Sequence, residues 1–152
     1  MADWLSSMQQ TFEYYIVDPY TWTDMKRIDN VKTSTISRDT DASTLGSATI
    51  DITESVGECY LRIYLIIIQN GVREKYPLGT FLVQTPSFSY DGKVRNVSMD
   101  AYTPLLELKE NMPPLGYSIL KGENIMDYAY RLTREHVRAP VVTAECTAEL
   151  FN

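Results

Sequence analysis

CYLRIYLIIIQNGVREKYPLGTFLVQTPSFSYDGKVRNVSMDAY, residues 59–102, is the stretch whose reading decides the fold. Asn70-Gly71 and Asp91-Gly92 lie between β-branched and aromatic runs, and each pair suits a two-residue type I′ turn, whose central positions both need positive φ. The runs between them predict a meander of antiparallel strands over Cys59–Gln69, Val72–Tyr76, Thr80–Thr85 and Lys93–Tyr102, with Pro86 closing the third. Leu61, Ile63, Leu65 and Ile67 fall on one face of the first strand. Tyr60, Tyr64, Ile66 and Ile68 fall on the other, with Arg62 among them. An antiparallel strand that is apolar on both faces needs a second cover, and two are open: a helix of the same chain or a neighbouring subunit.

Working outward, Lys93–Tyr102 places Val97, Met99 and Ala101 against Asn96, Ser98 and Asp100. Gly46–Glu54 places Ala48, Ile50 and Ile52 against Ser47, Thr49, Asp51 and Thr53. Both are strands with one wet face. Phe12–Asp18 reads as a strand stopped at Pro19, and Asp24–Val31 as its return. Thr33–Arg38 is rich in Thr and Ser, and Asp39–Leu45 is a polar loop. Trp4, Leu5 and Met8 have helical spacing, consistent with either a short helix or an arm that orders on a partner. Pro104 opens a helical turn over Thr103–Lys109. Asn111–Gly116 is a breaker. Asn124 caps a helix to about Arg138, with Ile125, Tyr128, Ala129 and Leu132 as its apolar stripe and Asp127–Arg131 and Arg131–Glu135 as i,i+4 pairs. The expected fold is mainly β (α+β), an antiparallel β-barrel over residues 12–110. An N-terminal arm (1–11) precedes it, and an extension with one packed C-terminal helix (111–152) follows.

The 152 residues carry a net charge of −6, with eleven tyrosines, two cysteines and one histidine. A chain this long buries roughly 68–70% of its unfolded surface and folds without a staple. No basic stripe is present to follow a phosphate backbone, so nucleic-acid specificity is not expected. The longest aliphatic run, Leu65-Ile66-Ile67-Ile68, is far too short to span a bilayer, and no basic-then-apolar leader is visible at the N-terminus. Membrane insertion is not expected, and synthesis in a reducing cytoplasm is.

Chemistry-bearing patterns are absent: no Gly-rich phosphate loop, nucleophile elbow, HExxH or CxxC. Cys59 and Cys146 with His136 cannot complete a tetrahedral metal site. Cys59 reads as a small core residue, and a bridge to Cys146 stays open. Asp39 and Asp41 are expected in a turn-rich loop for backbone reasons, Glu54 and Glu58 as solvated turn carboxylates beside Gly57, and His136 as a residue paired with the helix dipole. No catalytic residue, cofactor site or metal site is expected.

Three segments resemble the N-terminal part of tailed-phage tail hub proteins, which close the tail tube at the baseplate. They are KTSTISRDTDASTLGSATIDITE (32–54), the hairpin pair from Tyr60 to Leu108, and LKGENIMDYAYRLTREHVRAP (120–140). The resemblance implies a non-enzymatic structural protein of the virion tail tip, made in the bacterial host cytoplasm. It implies a tube-type β-barrel that self-associates into a ring, a trimer by the family's habit, and that meets tail tube, distal tail and spike or fibre proteins. Sheets shared between subunits would put Tyr60, Tyr64, Ile66 and Ile68 against another subunit or the helix. Hubs of this family continue into a second barrel, whereas this sequence runs out after the helix, as a short hub, a split hub or a tail adaptor would. The alternative drawn from the residues alone is a β-barrel module that binds carbohydrate or peptide through Trp4, Trp22 and Tyr90.

Overall fold

In the computed structural model, Asn70 and Gly71 form the turn that their sequence asks for, with φ of 51° and 77° between paired Gln69 and Val72. The structure describes residues 2–54, 56–90, 92–93, 95–111 and 116–143. Seven strands form one antiparallel sheet: β1 (Gln9–Val17), β2 (Asp24–Ile28), β3 (Val31–Ser37), β4 (Ser47–Ile52), β5 (Tyr60–Gln69), β6 (Val72–Tyr90) and β7 (Arg95–Tyr102). Two helices follow, α1 (Leu105–Glu110) and α2 (Ile125–His136). The strand order is β2-β1-β5-β6-β7-β4-β3.

The two strands expected over Val72–Tyr76 and Thr80–Thr85 are a single strand, β6. Pro77, Gly79 and Pro86 do not end it, because each irregularity is absorbed as one extra residue. Tyr64 faces Pro77 while Ile63 faces Gly79, leaving Leu78 unpaired against β5; a second shift falls between Gln84 and Ser87 against β7. Gly79 also makes room for Phe81, whose ring lies 3.0 Å from where a Cβ would stand. Tyr90 pairs with Arg95 at the end of the β6–β7 ladder, and Asp91 of the expected Asp91-Gly92 turn lies outside the described residues.

Inward alternation follows the sequence closely. Ala48, Ile50 and Ile52 of β4 and Val97, Met99 and Ala101 of β7 are fully buried, and they share one core with Leu61, Ile63, Phe81, Val83, Tyr14 and Ile28. That core draws on both ends of the strand order, so the sheet curls strongly. The reason lies in its connectivity. β2 and β3 are the two terminal strands of the sheet, yet only Asp29-Asn30 separates them in the chain. Three peptide steps span at most about 10 Å, so the sheet's ends must meet at that corner. Tyr14 Oη and Ser34 Oγ, 2.6 Å apart, tie β1 to β3 across the interior.

The expected barrel is not closed. β2 pairs with β1 and β3 with β4, and no ladder joins β2 to β3. The bend at Asp29-Asn30 gives the two strands different partners. One backbone bond, Thr53 N–H to Asn30 O at 3.3 Å, reaches the corner from the end of β4.

The helical turn expected to open at Pro104 is α1, which joins the expected helix α2, and the two touch each other. Asn124 caps α2 as anticipated, accepting from the N–H groups of Met126 (2.9 Å) and Asp127 (3.4 Å). Tyr128 is buried and Ala129 is exposed. Arg131 forms its ion pair with Glu123, at 3.6 Å, rather than with the expected Asp127 or Glu135. The N-terminal residues are an arm and not a helix. Ala2 N–H donates to Glu74 Oε2 (2.8 Å), Asp3 exchanges bonds with Gln69, and Trp4 packs on Tyr76 with ring centroids 5.9 Å apart. The arm thereby lies on the β5–β6 hairpin.

Ile63, at the centre of this core, supplies the first test. Ile63→Ala should cost about 2–5 kcal/mol in a denaturant titration. A loss below about 1 kcal/mol would mean that the two ends of the sheet do not pack on β5.

Candidate functional site

The residues singled out in the sequence lie on the second face of β5. Register decides what covers them. Along that face β1 offers Gln9, Thr11, Glu13, Tyr15 and Val17, and β6 offers Arg73, Lys75, Pro77, Thr80 and Leu82. Long charged and aromatic side chains from the flanking strands therefore converge over an apolar strip.

Glu13 is only 7% exposed. Its carboxylate accepts from Arg27 and Arg73, each at 2.9 Å, and from Tyr15 Oη at 3.3 Å. Glu13 sits opposite Tyr64 and Arg73 opposite Ile68, so their ion pair crosses β5 diagonally over Ile66. Burial pushes the Glu13 carboxyl up, but the Arg73 bond and the two guanidinium charges outweigh it and hold the group below its ordinary value. Lys75 Nζ lies 3.7 Å from the Tyr64 ring centroid and 4.3 Å from that of Tyr15, and these two rings meet edge to face at 5.7 Å. Asp24, from the edge strand β2, accepts from Arg62 (2.9 Å) and Tyr64 Oη (2.8 Å), with Lys75 Nζ at 3.8 Å. Burial and the bond to Asp24 raise the Tyr64 hydroxyl above its usual pKa.

Tyr60, at one end of the strip, is covered differently. It is 2% exposed, with the Trp22 ring 4.9 Å away and its hydroxyl donated to Glu107 of α1. Glu107 is itself buried and also accepts from Arg138 N–H at 3.0 Å, with the Arg138 guanidinium at 3.7 Å. Burial, and then the Glu107 carboxylate, push the Tyr60 hydroxyl well above its usual range. Trp22 has a φ of 56°, an uncommon conformation for a bulky residue. Its carbonyl accepts from Arg62 at 3.1 Å, so the strip and the β1–β2 connection hold each other.

The four residues expected at a subunit interface thus divide. Tyr60 and Ile66, at 2% and 1% exposure, are already buried inside the chain and present no surface to a neighbour. Tyr64 and Ile68 are half-buried. Of the two covers the sequence left open, the helix applies at Tyr60; the rest of the strip is roofed by the side chains of its own sheet. Trp22, expected as a free binding aromatic, packs on Tyr60, whereas Trp4 (57%) and Tyr90 (72%) are exposed. Glu13, Asp24 and Lys75 were not singled out. In FEYYIVD the signal was present, since Glu13 and Tyr15 alternate with Tyr14 and Ile16.

Other chemical candidates stay apart. Asp39 Oδ1 accepts from Asp41 N–H at 2.9 Å, the local turn bond expected of this loop. Glu54 and Glu58 are exposed. Cys59 packs against the core, and burial pushes its thiol up to about 11, so it is a poor nucleophile. Cys146 lies outside the described residues, and with it the question of a bridge to Cys59. Among the described residues no group of three or more His, Cys, Asp or Glu could hold a metal, and no helix is long and apolar enough to cross a membrane. No family model and no curated protein matches the chain.

The geometry of the strip sets two expectations. Because the Glu13 pKa is lowered on folding, its contribution is full above pH 4.5 and is lost as the pH falls through the folded value. Thermal melts of Glu13→Gln should therefore depend less on pH below 4.5 than those of the wild type, and parallel curves would contradict this. Tyr60→Phe removes a donor to a buried carboxylate and should cost about 1–3 kcal/mol. In hydrogen exchange α1 should open first, and uniform loosening of the whole chain would argue against a local tie.

Proposed function

We propose that the chain is a structural ring component of a phage tail tip, a hub or baseplate protein that links the tail tube to the spike or fibre apparatus. The observation that carries this reading is order. The three segments that resemble tail hubs fall, in sequence, on β3–β4 with their polar loop, on the β5–β6–β7 hairpin pair running into α1, and on α2. The first two belong to one curled antiparallel sheet, as a tube-type unit requires. Its end strands β2 and β3 carry no second ladder among the described residues. Unpaired edges of this kind need covering, and pairing with a neighbouring subunit is one way to cover them.

On this reading the self-association surface lies at the sheet edges rather than on the second face of β5, which the chain roofs itself. Tail tube, distal tail and spike or fibre proteins are the neighbours it would meet. The second reading, a module for carbohydrate or peptide, draws on the exposed rings of Trp4 and Tyr90.

Light scattering over a concentration series separates the two. A trimer or hexamer supports the ring, and negative-stain images of the same fractions should contain closed particles. A monomer at every concentration that binds a glycan on an array would replace the ring with the binding module.

A further inference from the structure

An open cleft of about 570 Å³ lies between the β1–β2 connection and the C-terminal end of α2, walled by Pro19 and Tyr20 on one side and by residues 134–138 on the other. We propose that it docks an acidic, extended segment of a partner protein.

The charge here runs against the rest of the chain. Residues 131–138 hold three arginines and His136 against one carboxylate, Glu135, in a protein whose net charge is −6. The negative end of the helix dipole favours cations in the last turn, which accounts for part of this pattern. Two of the arginines are also committed within the chain: Arg138 to Glu107 at 3.7 Å and Arg131 to Glu123 at 3.6 Å. Arg134 is exposed and pairs with no carboxylate among the described residues.

The opposite wall is independent of the helix. Asp18 Oδ1 accepts from Tyr20 N–H (2.7 Å) and Thr21 N–H (3.2 Å), which fixes the turn. The turn sets the Tyr20 ring in solvent, 96% exposed, at the rim of the cleft. A tyrosine so placed offers an apolar face and a hydroxyl donor to a bound chain. A carboxylate between Arg134 and Tyr20 would meet a guanidinium and a phenol. The net charge of −6 on the chain as a whole disfavours non-specific approach of an acidic partner, so the cleft also orients it. A nucleic acid fits less well, because a run of phosphates needs a run of free cations, and here Arg134 alone of the three arginines is unpaired among the described residues.

The test uses the full chain and fluorescein-labelled octaglutamate, followed by anisotropy at low ionic strength. Saturable binding is expected, weakened about fivefold or more by Arg134→Glu and by Tyr20→Ala, and largely abolished by about 0.5 M salt. Both side chains stand in solvent, so melting temperatures should hold; Arg134→Gln serves if the charge reversal lowers them. Failure of octaglutamate to bind overturns the proposal, as does binding that neither variant weakens. Octathymidylate binding more tightly than octaglutamate, and equally sensitive to Arg134 and Tyr20, would overturn it in favour of a nucleic-acid site. This outcome is separate from the oligomeric state, so the cleft and the ring reading stand or fall independently.

Discussion

Burial of β5 on both faces is the constraint on which the rest of this structure depends. Its inward residues Leu61 and Ile63 sit in a core assembled from strands across the sheet. Its outward residues Tyr60 and Ile66 are no less buried. An antiparallel sheet with helices on neither face would leave such a strand half in water. Here β1 and β6 supply the missing cover by reaching over it, the Glu13–Arg73 pair above Ile66 and Lys75 above the Tyr15 and Tyr64 rings. Long side chains lay their apolar stems on the strip and keep their charges at its surface. Because the charges are paired, the buried carboxylate of Glu13 is satisfied rather than stranded.

This arrangement has a consequence for assembly. A two-sided apolar strand invites the inference of a partner, yet Tyr60 and Ile66 are covered by the chain itself. Glu107 completes the cover by binding the Tyr60 hydroxyl and the Arg138 backbone together, so that α1, the end of α2 and the central strand meet at one carboxylate. Edges with no second ladder among the described residues lie instead at the sheet's ends, where β2 and β3 are joined by Asp29-Asn30 without pairing to each other. Exposed apolar groups, Trp4 on the arm and Tyr90 near the β6–β7 turn, are also peripheral.

Where the sequence misled, the cause was a local signal overridden by distant contacts. The gap over residues 77–79 and the stop at Pro86 read as strand ends, but β6 runs through both, each taken up as a one-residue bulge. Arg131 stands in helical register with Asp127 and Glu135, yet it pairs with Glu123 beyond the N-cap and lies over the Tyr128 ring at 4.6 Å. The candidate interface was legible as an apolar strip, and its alternation was right. Its solvent exposure was not legible, since nothing in YLRIYLIII indicates that Arg73 and Glu13 lie across it.

By itself the sequence determined what depends on residues a few positions apart. The Asn70-Gly71 turn, the inward faces of β4 and β7, and the Asn124 cap all follow from local stereochemistry and a two- or four-residue period. Tertiary structure alone decided what covers the second face of β5. Glu13 and Arg73 are sixty residues apart in the chain and Tyr60 and Glu107 forty-seven. Such pairs exist only once β1, β5 and β6 have taken their register and the sheet has curled. Register is set by cooperative packing of the whole core, and no short window of the sequence contains it.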